Sequence, residues 1–359
     1  TLTVTLKDDT EMLDEVVVVG YGTMKKSDMT GAISSVKSED LMKRATTSAT
    51  EALQGKIAGV SVLKSGGNAG ASISVKIRGI KTMGDNEPLY IIDGYPGDIN
   101  TINPQDIESI DVLKDGSAAA IYGTRGTNGV IIVTTRRARE GRAEVTYEGQ
   151  FTVGKVTRRA VPLTASEFNY VIDTYRPELS GSKYGADTDW FDEITRTPIS
   201  HKHTLSLSGG TEKFSHFTSL NYEKAEGVQR GNDFEKIAGR TNIRQSLLEG
   251  WVDVDVNLFI THRKYNPSNT SAFQQAFIHN PTEPVYDPSN TTSGGYYRIE
   301  AMEYYNPVAM INERTSTTVN DNFGGNARVT LNIKPVKGLK WDAFLALSRE
   351  SNESKTYST

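Results

Sequence analysis

The sequence predicts two parts: an α+β domain of short elements, followed by long antiparallel strands of the kind that form a membrane β-barrel. Short strands alternate with short helices over residues 28–135, whereas apolar and polar residues alternate with period two from about residue 143 onward. The links between the long strands are alternately tight turns and long loops, as in an outer-membrane barrel. The seven predicted strands are about 143–154, 201–209, 214–225, 235–247, 251–263, 323–334 and 339–350.

The segment from Trp251 to Ile260 shows the period-two pattern most clearly. A strand of about ten tilted residues crosses about 25 Å, the height of the apolar band of an outer-membrane barrel. We therefore expect one face of this strand to contact lipid and the other to face the lumen. The expected lipid-facing residues are Val252, Val254, Val256 and Leu258, and the expected lumen-facing residues are Asp253, Asp255 and Asn257.

Composition narrows the class of protein without indicating a function. The chain has 359 residues, a formal net charge of −4 and no cysteine. No apolar run approaches the roughly 18 residues that a membrane helix needs, whereas membrane strands leave hydropathy low. The near-neutral charge argues against nucleic acid as a partner. Because no signal peptide precedes Thr1, the chain is expected to be a mature or truncated form.

The stretch 106–135 predicts a strand, a short helix, a glycine turn and a second strand. Residues 107–113 are β-prone, and Ser117–Ile121 consists of good helix formers. Gly123 stands where a helix would end in a left-handed residue. The apolar run 130–133 predicts a strand that is buried on both faces.

The glycines of this stretch could also be interpreted as a phosphate-binding loop. Their spacing is G-x-x-G-x-x-G at Gly123, Gly126 and Gly129, whereas the dinucleotide motif is G-x-G-x-x-G. Phosphate loops follow a strand and open a helix, so that the helix N-terminus faces the anion. These glycines close a helix and open a strand, which favours a structural role.

Ordered motifs over about the first 135 residues resemble the TonB-dependent outer-membrane transporters. Residues 77–79 (IRG) and 88–94 (PLYIIDG) resemble the first half of the plug domain of that family, and 107–130 resembles the second half. Residues 53–60 (LQGKIAGV) and 14–22 (DEVVVVGYG) narrow the resemblance to the SusC/RagA-like branch, the glycan and peptide importers of Bacteroidetes. The plug-motif residues are Arg78, Gly79, Asp93, Gly94, Tyr122, Gly123, Arg125 and Gly129.

The resemblance implies an α+β plug domain inside a transmembrane antiparallel β-barrel of about 22 strands. Seven strands cannot close around a plug, and an open wall would leave a bare edge in lipid, so the first third of a barrel is expected here. The expected divisions are the end of an N-terminal β-domain at 1–9, a linker with a TonB-box-like segment at 10–27, the plug at 28–135, a connector at 136–142, and barrel strands with extracellular loops at 143–359.

The acidic pair Asp14 and Glu15 precedes four valines, Val16, Val17, Val18 and Val19. Four β-branched residues favour an extended backbone. The segment is either an ordinary buried plug strand or a tethered strand that adds to the sheet edge of a partner. Its position between a polar linker and a domain favours the second interpretation. The resemblance places it where the family carries its TonB box, which implies a role in energy coupling.

Tyrosines in the long loop after Tyr265 are candidate contacts for cargo or for a lid. Tyr296, Tyr297, Tyr304 and Tyr305 offer flat apolar faces with a hydroxyl at the tip, suited to sugar rings and to protein surfaces. Packing of the loop against its neighbours, or an interfacial aromatic belt, explains them equally well. For Arg78 and Asp93, hydrogen-bonded turn anchors are favoured over catalysis, and the sequence predicts no catalytic constellation, metal site or cofactor.

The resulting hypothesis is TonB-dependent active import of an oligosaccharide or peptide across the bacterial outer membrane, with the plug gating the barrel. The implied partners are the TonB-ExbB-ExbD complex, a SusD-like surface lipoprotein lid, outer-membrane lipid and the cargo, with a dimer of transporter–lipoprotein pairs as the assembly. A passive porin or adhesin is the alternative, but it would need no plug. A periplasmic glycan-degrading enzyme is a third hypothesis, disfavoured by the loop lengths and by the lack of a catalytic constellation.

Overall fold

The computed structural model of the chain divides into two compact units. One comprises residues 1–63 and 73–137, and the other comprises residues 64–72 and 138–359. The predicted division at 136–142 remains a prediction. Within these units, the structure describes residues 16–19, 22–25, 33–42, 48–64, 66–71, 73–80, 83–115, 120–137, 141–291, 294–298, 305–336 and 338–358.

The first unit is an α+β domain built on a five-stranded sheet of order β3-β8-β9-β6-β7. Strands β6 and β9 are parallel, and the other pairs of the sheet are antiparallel. Its elements are β1 (Val16–Val19), β2 (Gly22–Lys25), β3 (Ile33–Lys37), α1 (Ser38–Met42), α2 (Ala49–Ala52), β4 (Val60–Lys64), β5 (Ile73–Ile77), β6 (Leu89–Ile92), β7 (Tyr95–Pro96), β8 (Ile107–Leu113) and β9 (Val130–Thr135).

Strand β9 lies at the centre of this sheet and is buried on both faces. Ile131 and Val133 belong to a large apolar cluster that includes residues of α2 and β5. Val130 and Ile132 belong to a smaller cluster on the opposite face, together with Ile91 and Leu113. An uninterrupted apolar run suits such a strand because neither face meets water.

The helix predicted over Ser117–Ile121 lies partly outside the described residues, and its described end is not α-helical. Ala120–Gly126 forms 3₁₀ turns that are interrupted at Gly123, which has φ 61° and ψ −148°. The positive φ was expected, but this ψ lies far from the left-handed helical value of about +47°. Gly123 therefore turns the chain away from the helix axis, because glycine tolerates a conformation closed to other residues.

The second unit contains the predicted seven long strands, each antiparallel to the next in chain order. The strands are β10 (Gly141–Val153), β11 (Ile199–Gly210), β12 (Phe214–Glu226), β13 (Asp233–Leu247), β14 (Val252–Tyr265), β15 (Arg314–Asn332) and β16 (Lys340–Ser358). The start predicted for β15 was too late by about nine residues. Its first part carries few apolar residues, and hydroxyl pairs join it to β16, such as Ser316 with Thr356 (2.9 Å).

The two faces of this sheet differ in chemistry. Leu258 and Ile260 are exposed on one face of β14, whereas Asn257 is buried on the other. The Nδ2 of Asn242 on β13 donates to Oδ1 of Asn257 (2.7 Å), whose own Nδ2 donates to Oδ1 of Asn326 on β15 (3.0 Å). A ladder of buried asparagines therefore crosses three strands on the polar face.

The long links between strands carry the helices of the second unit. These are α3 (Ala165–Tyr175), α4 (Trp190–Ile194), α5 (Thr270–Ile278) and α6 (Pro307–Asn312). None of the helices in the described ranges is long and apolar enough to cross a membrane.

Candidate functional site

Asp93 and Gly94 form the two-residue turn that joins β6 to β7. Both have positive φ, 48° and 95°, as a type I′ hairpin turn requires. The Asp93 carboxylate is buried and accepts hydrogen bonds from the backbone N–H of Thr135 (3.0 Å) and from its hydroxyl (2.7 Å). This carboxylate therefore ties the hairpin to the end of β9.

Arg78 and Gly79 also have positive φ, 60° and 87°, directly after β5. The backbone N–H of Arg78 donates to the carbonyl of Gly59 (2.9 Å), and its guanidinium forms an ion pair with Asp115. Such positive φ costs energy for a residue with a side chain, and these contacts hold the turn in place. Arg78 and Asp93 thus both lie in turns that hydrogen bonds hold to neighbouring segments.

Gly129, in the plug motif at 107–130, stands where no side chain fits. A Cβ at Gly129 would lie 2.7 Å from Cδ1 of Ile77 and 3.2 Å from the carbonyl oxygen of Leu113, and its φ is +95°. Tyr122 packs against the smaller apolar cluster of the sheet. Arg125 is exposed at the end of the 3₁₀ turns.

The valine segment Val16–Val19 forms β1, which pairs with β2 in a two-stranded antiparallel sheet. Asp14 and Glu15 lie outside the described residues. Among the described strands, no other strand joins this sheet. The segment is therefore not a strand of the five-stranded sheet.

In the second unit, helices α4, α5 and α6 pack into a small apolar core. Trp190 is its largest buried side chain, and its indole N–H donates to the carbonyl of Asn280 (3.0 Å). The His279 ring contacts the Trp190 ring at 4.4 Å between centroids, and its Nε2 lies 3.0 Å from Oε2 of the buried Glu283. These contacts join loop segments that lie about 90 residues apart.

The candidate tyrosines differ in their packing and exposure. Tyr296 packs against the apolar core of the loops, and its hydroxyl accepts a hydrogen bond from Nδ2 of Asn312 (2.9 Å). Tyr297 lies beside Tyr184, with 5.7 Å between ring centroids. Tyr305 is exposed. Tyr304 lies outside the described residues.

Tyr184 and Tyr297 remain protonated at neutral pH. Burial raises the pKa of Tyr297, and the nearby Tyr184, Glu283 and Asp287 raise it further. Burial also raises the pKa of Tyr184, with Glu283 as the second cause. Each phenol can therefore donate a hydrogen bond to a ligand oxygen.

A cavity of about 270 Å³, here called the loop pocket, lies among the ends of β12 to β15. It is formed by three segments: the β12–β13 connection, the residues between β14 and α5, and the α6–β15 junction. Its lining residues are Gln229, Arg230, Gly231, Asn266, Pro267, Ser268, Asn269, Met310, Ile311, Asn312, Arg314, Thr315 and Ser316. The described lining residues include two arginines and no acidic residue.

Side-chain amides hold the walls of the loop pocket together. The Gln229 side chain donates to the carbonyl of Asn269 (2.7 Å) and accepts from the N–H of the same residue (2.6 Å). The Asn269 side chain donates to the carbonyl of Met310 (3.1 Å). These bonds link all three segments, so the pocket is part of the folded loop structure.

Sequence reasoning missed the loop helices, the Trp190 core and the loop pocket. One of the helices had a visible signal: Thr164 and Glu167 form a complete capping box at the start of α3. The pocket has no comparable signal because its arginines lie 84 positions apart in the sequence.

Both units of the chain are similar to known proteins. Residues 25–130 match the model of the TonB-dependent receptor plug domain. A structure of the RagAB peptide importer in the "open-open" state superposes on 95% of this chain and 43% of that chain, with a TM-score of 0.79 at 24% identity. The TonB-dependent receptor SusC of Bacteroides thetaiotaomicron is 35% identical over 91% of this chain. The chain is a SusC/RagA-like TonB-dependent receptor sequence.

Further relatives support the same assignment. The TonB-dependent receptor P3 of Formosa agariphila is 32% identical over 98% of this SusC/RagA-like chain. The chain spans 36% of the length of SusC and 36% of P3, about a third of each. The five-stranded unit is thus a plug domain, and the seven-stranded sheet is part of a β-barrel.

Proposed function

We propose that this protein is an active importer that carries an oligosaccharide or peptide nutrient across the bacterial outer membrane. The observation that carries the proposal is the presence in one chain of a plug domain and a barrel sheet with an exposed apolar face. A passive porin or adhesin needs no plug domain. The structural relative RagAB is a peptide importer, which supports a peptide as one class of cargo.

In this proposal the plug gates the barrel, and the TonB-ExbB-ExbD complex supplies the energy through Asp14 to Val19. The support is that β1 pairs only with β2 among the described strands, so its sheet has an edge to which a partner strand can add. Main-chain hydrogen bonds would supply the affinity of such a contact.

A proline substitution tests this coupling, because proline removes a backbone N–H while the chain length stays unchanged. Val18→Pro is expected to abolish uptake of cargo and crosslinking to TonB, whereas the matched Val18→Ala should retain both. Outer-membrane yield and cargo binding should be normal in both variants. Unimpaired uptake in Val18→Pro and in a deletion of residues 14–19 would contradict the proposed function.

We also propose that a SusD-like lipoprotein covers the extracellular mouth, that such pairs form dimers, and that loop tyrosines contact lid or cargo. Tyr305 is exposed, and Tyr297 lies half-buried beside Tyr184; both are better candidates than Tyr296, which packs against the apolar core of the loops. The Tyr297→Ala/Tyr305→Ala double variant should lose lid association or cargo affinity at unchanged barrel yield. Tyr296→Ala should instead lower the stability of the loops. Normal binding to lid and cargo in the double variant would leave these tyrosines with a packing role.

A further inference from the structure

The loop pocket is lined by two arginines with which no carboxylate of the described residues pairs, and we infer that it binds a carboxylate group of the cargo. This inference rests on the proposed import function and specifies the chemistry of the cargo. No aspartate or glutamate is among its described lining residues, although the whole chain has a net charge of −4. The positive charge of the pocket is therefore opposite in sign to the net charge of the whole chain.

Arg314 is the group that would contact the carboxylate. Within the described part of the chain, its guanidinium has no ion pair, whereas exposed arginines such as Arg159 and Arg176 are paired with carboxylates. Arg314 also lies on the same face of β15 as the buried polar residues Thr318 and Asn320. The free cation is thus directed along the polar face of the barrel sheet.

Arg230 adds positive charge in a fixed position. Its Nε donates to the carbonyl of Thr195 (2.9 Å), and its Nη2 donates to the carbonyl of Asp192 (3.4 Å). These carbonyls orient the guanidinium but do not neutralise it. No carboxylate in the described ranges pairs with Arg230, so both arginines contribute to the potential in the pocket.

The size and the neutral lining of the pocket indicate what carries the carboxylate. A cavity of about 270 Å³ is slightly smaller than the roughly 300–1,000 Å³ of pockets that hold drug-sized ligands. It is therefore suited to one sugar ring or one amino-acid residue of a longer cargo. Ser268, Asn312 and Thr315 provide hydroxyl and amide groups that can hydrogen-bond either of these.

A guanidinium binds a carboxylate through two parallel hydrogen bonds, a geometry that favours arginine over lysine. One free guanidinium matches one such monoanion. A uronic-acid sugar and a peptide both present this group, and the probes must distinguish these two sources.

The test is calorimetric titration of the full-length protein with two matched pairs of probes. One pair is trigalacturonate and its trimethyl ester, and the other is N-acetyl-trialanine and its C-terminal amide. In at least one pair, the acid should bind about tenfold or more tightly than its uncharged counterpart, because the loss of a hydrogen bond to a charged group lowers the affinity by about that factor. The pair that shows the preference identifies the source of the carboxylate.

Three variants assign this preference to the pocket. Arg314→Gln should abolish it, Arg314→Lys should retain only part of it, and Arg176→Gln should leave it intact, because Arg176 is an exposed arginine outside the pocket lining. No acid preference in either pair, or a preference that survives Arg314→Gln, would overturn the inference.

A second measurement needs no substitution. Phenylglyoxal should modify the exposed Arg314 in the free protein, and the preferred acid should protect it while the uncharged counterpart does not. Modification that is equal with and without the acid would overturn the inference even if Arg314→Gln failed to fold. If acid preference is absent but Val18→Pro still abolishes uptake, the import function stands and only the cargo chemistry is wrong.

Discussion

The two large sheets of the chain place their apolar residues in opposite ways. In the plug sheet, Val130–Val133 is buried on both faces of β9. In the barrel sheet, Leu258 and Ile260 on one face of β14 are 44% and 59% exposed, whereas Asn257 on the other face of the same strand is 5% exposed. The first sheet has an apolar core on both faces, whereas the second hides its polar side chains.

This difference shows that the two sheets are stabilised by different interactions. Burial of apolar surface stabilises the plug sheet. The exposed apolar face of the barrel sheet gains nothing in water and suits a lipid environment. Substitutions of the same chemical kind should therefore have different effects in the two regions, and the predictions below use that contrast.

The largest effect is expected in the plug core. Ile131→Ala and Ile132→Ala should each lower the free energy of unfolding of the plug by about 2–5 kcal/mol, because each leaves a cavity in a closely packed cluster. Pulse proteolysis in urea measures this loss. Ile80→Ala, at a residue 69% exposed, is the matched control and should change stability by less than about 0.5 kcal/mol. Equal losses at all three positions would mean that β9 is not a core strand.

On the apolar face of the barrel sheet, a charge should be costly. Val254→Arg or Val256→Arg should destabilise the folded protein in phospholipid vesicles by about 2–4 kcal/mol if the position lies near the bilayer midplane. Asp255→Asn, on the opposite face, should cost little. Guanidinium titration from vesicles gives these values, and equal tolerance of change on the two faces would argue against a lipid-facing surface.

On the polar face, the asparagine ladder should be sensitive to loss of its central member. Asn257→Leu removes the hydrogen bond that Asn242 donates to Asn257 and the one that Asn326 accepts from it, which should cost about 1–3 kcal/mol. The control is Glu212→Leu, at an exposed residue of the turn between β11 and β12. The same titration measures both variants, and a neutral Asn257→Leu would show that the ladder does not stabilise the sheet.

The smallest effect is expected in the loops, where Thr164 caps α3. Thr164→Ala should cost about 0.5–2 kcal/mol of local stability, because the backbone N–H of Glu167 loses its acceptor. Hydrogen exchange of the amides of residues 165–168 measures this, with the exposed Thr157→Ala as control. Exchange that is unchanged in Thr164→Ala would show that the cap is dispensable.

The same capping box predicts a dependence on pH. Hydrogen bonds from the backbone and the hydroxyl of Thr164 lower the pKa of Glu167 in the folded state. A lowered folded pKa stabilises the helix start at pH values above the unfolded pKa, and this contribution is lost as the pH falls through the folded value. Exchange at the start of α3 should therefore show extra opening on acidification. Thr164→Ala should reduce that extra opening, because the backbone N–H of residue 164 still donates to Glu167, and Glu167→Gln should abolish it.

Local patterns were sufficient to predict the plug strands β8 and β9 and the seven barrel strands. The uninterrupted apolar run 130–133 indicates a strand buried on both faces. The alternation around Leu258 indicates a strand with one apolar and one polar face. The 3₁₀ turns at Gly123 were not predictable, because helix propensity does not register a ψ of −148°. The Trp190 core and the loop pocket were missed because they join segments far apart in the chain, such as Trp190 and Asn280.

The most direct test of the contrast between the two sheets is a comparison of adjacent residues on β14. These 359 residues contain no cysteine, so single cysteines at Leu258 and Asn257 can carry a spin label in outer-membrane vesicles. We expect the label at 258 to be relaxed by oxygen, which dissolves in lipid, and not by a water-soluble nickel chelate. The label at 257 should be poorly accessible to both reagents. Equal accessibility at the two positions, or relaxation of the label at 258 by the chelate, would contradict a lipid-facing barrel wall.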